Sequence, residues 1–174
     1  MKAWQHSEFG GPEVINLVDV PTPEPAEDRV LLKVEATGLN PYDWHFYRGD
    51  PYLARIASPL KKSGPLVPGT DVAGVVEALG PGVTSLQVGD RVWGEINFGG
   101  MGEYATPLAR HLIRLPESVS SVAAAATAMG ALTAWDALKL APTVEGASVL
   151  VTSASGGVGH LTAQIARIMG AERV

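Results

Sequence analysis

Apolar and polar residues alternate over short stretches in the first part of the chain, and this two-residue period predicts β-strands. Residues 29–36, RVLLKVEA, combine an apolar run with alternating charges. Two more strands are predicted within residues 71–94, and a further pair around 103–106 and 111–115. A strand is also expected near 3–6. Because glycines separate these short elements, we expect a curved sheet or a small barrel.

Residues 48–69 break the strand pattern with four prolines and a local excess of positive charge. A loop of this length either carries a function or lacks order. We therefore expect either a mobile flap near a site or an insertion without a role.

After Pro116 the apolar spacing becomes helical. Three serines, at 118, 120 and 121, are candidate N-caps. The segment 131–141, ALTAWDALKLA, carries apolar residues at close to helical spacing, and Gly130 is expected to interrupt the helical region before it.

The last residues of the chain predict a strand, a glycine-rich turn and a helix. Val149–Thr152 is a β-branched run typical of a buried parallel strand. The apolar stripe of Leu161, Ile165 and Ile168 predicts a helix. The turn between them has the form A-x-G-x-x-G, a variant of the dinucleotide fingerprint, and its candidate cofactor-binding residues are Ala154, Ser155, Gly156, Gly157, Val158 and Gly159.

Two glycines of this turn have an expected role. Gly156 would let the backbone approach a diphosphate, and Gly159 would let the helix pack closely on the strand. Free N–H groups at the start of the helix would attract the phosphates. The alternative is a glycine turn that binds nothing.

The amino-acid composition argues against several classes of partner and site. Of the 174 residues, 46% are hydrophobic and 18% are charged, and the formal net charge is −5. This balance argues against nucleic acid or an anionic membrane as the main partner. The absence of cysteine excludes disulfides, thiolate zinc sites and a cysteine nucleophile. With no secretory signal or membrane-spanning run apparent, we expect a cytoplasmic protein.

Five motifs occur in one order along the chain, and together they are far more specific than any one of them. With these motifs the chain resembles the medium-chain dehydrogenase/reductase superfamily, in particular its zinc-free quinone oxidoreductase-like branch. The motifs are GLNPYDWHFYRG at 38–49, PGTDVAGVVEALGPGVTSLQVGDRVWG at 68–94, GEYA at 102–105, GALTAWDAL at 130–138 and VLVTSASGGVGHLTAQIARIMGAE at 149–172.

The resemblance implies a mixed α/β fold in three parts. A GroES-like β-barrel catalytic domain is expected at 1–117, linking helices at 118–143, and the first β-α unit of an incomplete Rossmann dinucleotide-binding domain at 144–174. We expect the sequence to be the N-terminal portion of a longer protein, because the family continues its Rossmann domain and then returns to the catalytic domain.

The resemblance also bears on zinc. The zinc-dependent branch places a cysteine at the position of Asn40 and a Gly-His-Glu at the position of Gly69-Thr70-Asp71. The four histidines of the chain show no metal-ligand spacing. We therefore expect no metal site and no catalytic zinc.

The activity implied is hydride transfer from NAD(P)H to a quinone or an α,β-unsaturated carbonyl, with a small molecule as the substrate. The residue that distinguishes NAD from NADP usually lies about 20 residues beyond the glycines, at or past Val174. The residues leave that choice open, and NADP(H) is expected ahead of NAD(H). A homodimer is one expected assembly. The competing hypothesis is a non-enzymatic GroES-like binding module with a relic cofactor motif.

Two candidate site residues lie close together in the first motif. Asn40 matches a family position near the nicotinamide, where its amide could donate and accept hydrogen bonds; the alternative is a turn residue before Pro41. Asp43 matches a frequent family acid, which could act directly or could have a structural role in fixing Asn40 or the loop backbone.

Three hydroxyl-bearing residues complete the candidates. Tyr47 and Tyr52 could donate a hydrogen bond to the substrate oxygen, or they could pack as aromatic residues under the loop. Thr133 lies in the family's LTA segment, which approaches the nicotinamide; the alternative is a hydroxyl at the N-terminal end of a helix.

Overall fold

The chain forms two compact units in a computed structural model that describes residues 1–60 and 64–174. The first unit is Met1–Ala126 and the second is Thr127–Val174. Their boundary falls inside the segment 118–143 that the sequence assigns to linking helices. Residues 61–63, which belong to the expected loop at 48–69, lie outside the described residues.

The first unit is built on antiparallel strands. Strands β1 (Lys2–Gln5) and β2 (Asn16–Asp19) form a two-stranded ladder. A five-stranded sheet has the order β6-β3-β4-β5-β7. Its strands, which include the elements predicted at 29–36 and within 71–94, are β3 (Val30–Gly38), β4 (Asp71–Leu79), β5 (Arg91–Glu95), β6 (Tyr104–Ala105) and β7 (Leu112–Arg114).

Alternation along the strands places the core. Val30 and Leu32 of β3, Val72 and Val76 of β4 and Val92 of β5 are all fully buried, as the two-residue period requires of one face of a sheet. Helix α3 (Ser121–Ala125) packs on β3, β4 and β5.

Helix α3 (Ser121–Ala125) shows how the serine and alanine pattern is used. The Oγ atom of Ser120 accepts a hydrogen bond from the N–H of Ala123 at 3.2 Å, so Ser120 is the N-cap among the three candidate serines. Ala124 and Ala125 are buried beside Ala73 of the sheet.

Two helices replace loops that the sequence predicts. Helix α1 (Pro41–Arg48) occupies most of the first motif, and helix α2 (Tyr52–Ala57) lies within the expected loop at 48–69. The signals for α1 are local: Asn40 is the N-cap, Pro41 is the first helical residue and Asp43 is the third. Gly49, with φ of 63°, ends the helix in the left-handed conformation.

The second unit contains helices α4 (Ala128–Lys139) and α5 (Gly157–Ile168), which pack against each other. The expectation that Gly130 interrupts the helical region is wrong, because Gly130 lies inside α4. A Cβ atom there would lie 3.0 Å from Leu161 Cδ1 and 3.1 Å from the Gly157 carbonyl oxygen. The glycine therefore allows α4 and α5 to approach closely.

The buried strand expected at Val149–Thr152 is not present as a strand. Ser148 forms one parallel bridge with Arg173, and the N–H of Val149 donates to the Arg173 carbonyl at 2.8 Å. Leu150 is 91% exposed. A strand requires a continuous ladder with a neighbour, and the described residues provide a single bridge here. None of the helices in the described ranges combines the length and apolar character needed to cross a membrane.

Candidate functional site

The first unit contains a cavity of about 320 Å³ beside the start of α1, within the size range of small-molecule sites. Three of the four residues predicted to be catalytic line it: Asn40, Asp43 and Tyr47. Asp43 and Tyr47 are four residues apart on one helix and so share a face. The remaining lining residues are mainly apolar and are Trp4, Ile15, Leu39, Trp44 and Met101.

Asp43 joins two segments of backbone. Its Oδ2 atom accepts the N–H of Asn40 at 2.8 Å, and its Oδ1 atom accepts the N–H of Gly69 at 3.0 Å. The residue is only 4% exposed. Both carboxylate oxygens are therefore engaged in fixing the start of α1 to the turn before β4, which is the fixing role considered for Asp43 from the sequence.

Burial also changes the acidity of this group. Loss of hydration raises the pKa of Asp43 above its ordinary value of 3.8, and the backbone N–H groups of Asn40 and Gly69 partly oppose the rise. Burial likewise raises the pKa of the neighbouring Tyr42 phenol, and the charges of Glu95 and Asp43 raise it further.

The raised pKa predicts a stability change with pH. Between pH 3.8 and the raised folded value, the native state binds more protons than the unfolded chain, so the contribution of Asp43 is full below that window and is lost as pH rises through it. Inside this window, the free energy of unfolding of the wild type should increase relative to that of Asp43→Asn by up to about 1.4 kcal/mol for each unit by which the pH is lowered. Urea unfolding of both proteins from about pH 7 to about pH 4 measures the difference. A wild type that loses stability relative to the variant on acidification would contradict the prediction.

The side chain of Asn40 is held from the opposite side. Its Nδ2 atom donates to Asp71 Oδ2 at 3.0 Å and to Thr70 Oγ1 at 3.3 Å. Asp71 and Thr70 are 2% and 1% exposed. The structure thus brings together the positions that the resemblance aligned with zinc ligands. Among the described residues, no three histidine, cysteine, aspartate or glutamate side chains are grouped as metal ligands.

Sequence reasoning did not identify Thr70 and Asp71 as partners of Asn40. A signal was present, since both follow Gly69 in the motif that was compared with the zinc-dependent branch. Their contact with Asn40 depends on antiparallel pairing of β3 with β4, which sets Gly38 opposite Asp71.

The two candidate tyrosines lie in different places. Tyr47 is half-buried in the cavity, with its ring edge-on to His6 at 6.5 Å between centroids. Tyr52 is 71% exposed at the start of α2. It borders a separate depression with Arg48 and Arg55, so the structure does not bring it together with Asn40 and Tyr47.

The glycine-rich turn, Ala154–Gly159, is exposed apart from Gly159. A Cβ atom on Gly159 would lie 2.2 Å from the carbonyl oxygen of Ser153, whereas one on Gly157 would meet nothing within 4 Å. Gly156 is the N-cap of α5. The first N–H groups of a helix have no partner within it, so this open turn fits an anionic group such as a diphosphate.

Thr133 lies exposed on α4, and its Oγ1 atom donates to the carbonyl of Met129 at 2.7 Å. The hydroxyl hydrogen is thus used within the helix, in the middle of α4 rather than at its N-terminal end. The oxygen keeps its capacity to accept a hydrogen bond.

Comparison with known proteins agrees with these features. A family model for the alcohol dehydrogenase GroES-like domain matches residues 26–117. Human quinone oxidoreductase is 41% identical over 173 residues, which cover 98% of this chain and 50% of that protein. The 2-methylene-furan-3-one reductase of Solanum lycopersicum is 39% identical over 186 residues, covering 100% of this chain and 46% of that protein.

A solved structure also resembles this chain along nearly its whole length. The quinone oxidoreductase of Escherichia coli complexed with NADPH has a TM-score of 0.86 at 28% identity, covering 99% of this chain and 51% of that one. The chain thus spans about half the length of these relatives. The expected fold class, a GroES-like domain followed by the start of a Rossmann fold, is confirmed. The chain belongs to the medium-chain dehydrogenase/reductase superfamily and, within it, to the quinone oxidoreductase-like proteins.

Proposed function

We propose that this chain is part of an NADPH-dependent reductase that passes a hydride to a quinone or an α,β-unsaturated carbonyl. The observation that carries the proposal is the open glycine turn at the start of α5, where Gly159 has no room for a side chain and Gly157 leaves its surroundings free. The E. coli structure with NADPH supports NADPH as the reductant.

Each part of the chain has a proposed task. The turn from Ala154 to Gly159 binds the diphosphate, Thr133 and Asn40 contact the nicotinamide, and Asp43 fixes the segment that carries Asn40. NADPH, when bound, supplies the hydride, which adds to the electron-poor carbon of the acceptor, and a proton completes the reduced product.

Tyr47 is the proposed donor to the acceptor's oxygen. It shares the cavity with Asn40, and its hydroxyl makes no hydrogen bond with any residue in the described part of the chain. Tyr52 is less suited because it borders a different depression.

We also propose that the reaction is zinc-independent. The polar groups at the compared positions are an amide, a hydroxyl and one carboxylate, a poor donor set for Zn²⁺, which prefers thiolate and imidazole. A conjugated acceptor accepts hydride with less Lewis-acid assistance than a simple ketone.

The test is NADPH binding and turnover by the protein. Reduced-nicotinamide fluorescence measures binding with NADH as the comparison, and loss of NADPH absorbance with a benzoquinone or an enone measures turnover. We expect NADPH to bind more tightly than NADH, and Gly159→Val to weaken binding by at least about tenfold through displacement of the turn. A chain that binds neither cofactor, both alone and when joined to its downstream sequence, would favour the non-enzymatic GroES-like module instead.

The proposal also covers the cellular location and the oligomeric state of the protein. Because NADPH is an intracellular reductant, we propose a cytoplasmic protein, which cell fractionation tests. A homodimer remains a prediction, and its solution mass tests it.

A further inference from the structure

The depression that Tyr52 borders lies at the C-terminal end of α1. Its volume is about 500 Å³, within the range of small-molecule sites. It shares no lining residue with the cavity at the start of the same helix. Three glycines leave part of its wall without side chains, and its charges come from two arginines and one aspartate. The lining consists of Gly10, Gly11, Gly49, Arg48, Asp50, Tyr52 and Arg55.

Arg55 is fixed by its surroundings. Its Nε atom donates to the Gly49 carbonyl at 3.0 Å. Its guanidinium carbon lies 5.3 Å from the centre of the Phe9 ring and 5.9 Å from that of the Tyr52 ring, which is the usual range of cation–π contacts. A Cβ atom on Gly49 would lie 2.5 Å from Arg55 Cγ, so the arginine packs directly on this glycine. Its terminal nitrogens donate to no residue of 1–60 or 64–174.

Arg48 supplies the second guanidinium group. It lies 5.2 Å from the centre of the Trp44 ring, one turn earlier on the same face of α1. Within the described ranges, neither Arg48 nor Arg55 forms an ion pair with a carboxylate. Asp50 is exposed in the same depression and does not pair with either of them. The lining therefore carries a net positive charge with guanidinium donors left over.

We propose that this depression is a phosphate-binding site, in which Arg48 and Arg55 both donate to the oxygens of one phosphate group. A guanidinium group is a planar fork of N–H donors that matches phosphate geometry and does not lose its charge. A single fork satisfies both oxygens of a carboxylate. A phosphate group offers three terminal oxygens and a charge of about −1.5 to −2, so it uses two forks and is attracted more strongly by the positive lining.

This site and the proposed reductase site are independent of each other, although one helix serves both. The start of α1 borders the cavity with Asn40 and Asp43, whereas its last residue, Arg48, borders the depression. Arg55 lies on α2. A phosphate group held by both arginines would therefore join the end of α1 to α2, with or without a bound nicotinamide cofactor.

An NMR titration of the ¹⁵N-labelled protein with inorganic phosphate tests the site, with sodium chloride keeping the ionic strength constant. We expect saturable shifts of the backbone amides of Gly10, Gly11 and Gly49, and acetate should bind at least about tenfold more weakly. Phenyl phosphate is the second probe. Tighter binding of this ester identifies a phosphate ester as the ligand, and equal or weaker binding identifies the free ion. Shifts that do not saturate with either phosphate probe, or acetate binding as tight as that of phosphate, overturn the proposal.

Three neutralising variants locate the site. Arg48→Gln and Arg55→Gln should each weaken phosphate binding by at least about tenfold, because each removes charge-assisted hydrogen bonds. Arg48 makes no hydrogen bond to a described residue, so its replacement removes none from the fold. The matched control is Arg110→Gln, since Arg110 is also exposed but lines a different depression. Its affinity should stay within about twofold of the wild type. Equal losses in all three variants would show that overall charge alone attracts phosphate, contrary to the assignment.

Two further variants separate fork geometry from charge. Arg55→Lys keeps the charge but lacks Nε and the planar fork, and it should weaken phosphate binding by about fivefold. Asp50→Asn removes the one carboxylate of the lining and should strengthen binding by about threefold. If Arg55→Lys binds phosphate as tightly as the wild type, or if Asp50→Asn binds it more weakly, the arrangement proposed for this depression is wrong.

Discussion

Gly159→Ala should destabilise helix α5 and its turn by about 2 kcal/mol, whereas Gly157→Ala should leave them unchanged or stabilise them by up to about 1 kcal/mol. Both residues lie in the first turn of the same helix. They differ in what a Cβ atom would meet: the Ser153 carbonyl oxygen at 2.2 Å for Gly159, and nothing within 4 Å for Gly157. Helix propensity alone would not give opposite signs for two glycines in the same helical turn.

The measurement is hydrogen exchange of the α5 amides, which reports local opening free energies. In Gly159→Ala the helix start must move away from Ser153, so NADPH affinity should also fall by at least about tenfold. Equal exchange rates in the two variants would show that the turn relaxes without cost. That result would contradict the close packing assigned to Gly159.

Asp43→Ala should lower the free energy of unfolding of the first unit by about 3 kcal/mol. The substitution removes the acceptor for two N–H groups, those of Asn40 and Gly69. An unsatisfied buried polar group costs about 1–3 kcal/mol. Removal of a buried carboxylate with a raised pKa returns part of this cost.

The matched control is Asp43→Asn, which has nearly the same volume and keeps one acceptor oxygen. Its destabilisation should be about half that of Asp43→Ala. Tryptophan fluorescence during urea unfolding reports on this unit, since Trp4, Trp44 and Trp93 all lie in it. If Asp43→Ala were as stable as the wild type, Asp43 would not be the link between α1 and the turn before β4.

Helix α1 lies where the sequence analysis places a loop, although the signals for its start are local. Asn40, Pro41 and Asp43 occupy N-cap, first and third helical positions, which is a recognised start signal. If residues 40–48 formed a loop, a direct role and a structural role for Asp43 would be equally expected. In a helix, its carboxylate returns to the N-cap backbone, and its second oxygen reaches Gly69.

The strand predicted at Val149–Thr152 does not form, and here the local sequence signal was present but, within the described residues, the neighbouring strand was not. Its composition is typical of a buried parallel strand, but ladder formation depends on a neighbour rather than on the segment itself. One bridge to Arg173 is what the described chain provides. Gly130 shows the same limit, because its place in α4 follows from the approach of α5.

By itself, the sequence determined the strand pattern of the first unit, the glycine turn with its helix, and membership in the quinone oxidoreductase-like proteins, because periodicity and ordered motifs are local properties of the chain. Only the tertiary structure decided that Asn40 meets Thr70 and Asp71, that Asp43 reaches Gly69, and that Tyr47 and Tyr52 separate. Those contacts join residues that are distant in sequence or lie on different elements, and strand register and helix packing alone bring such groups together or keep them apart.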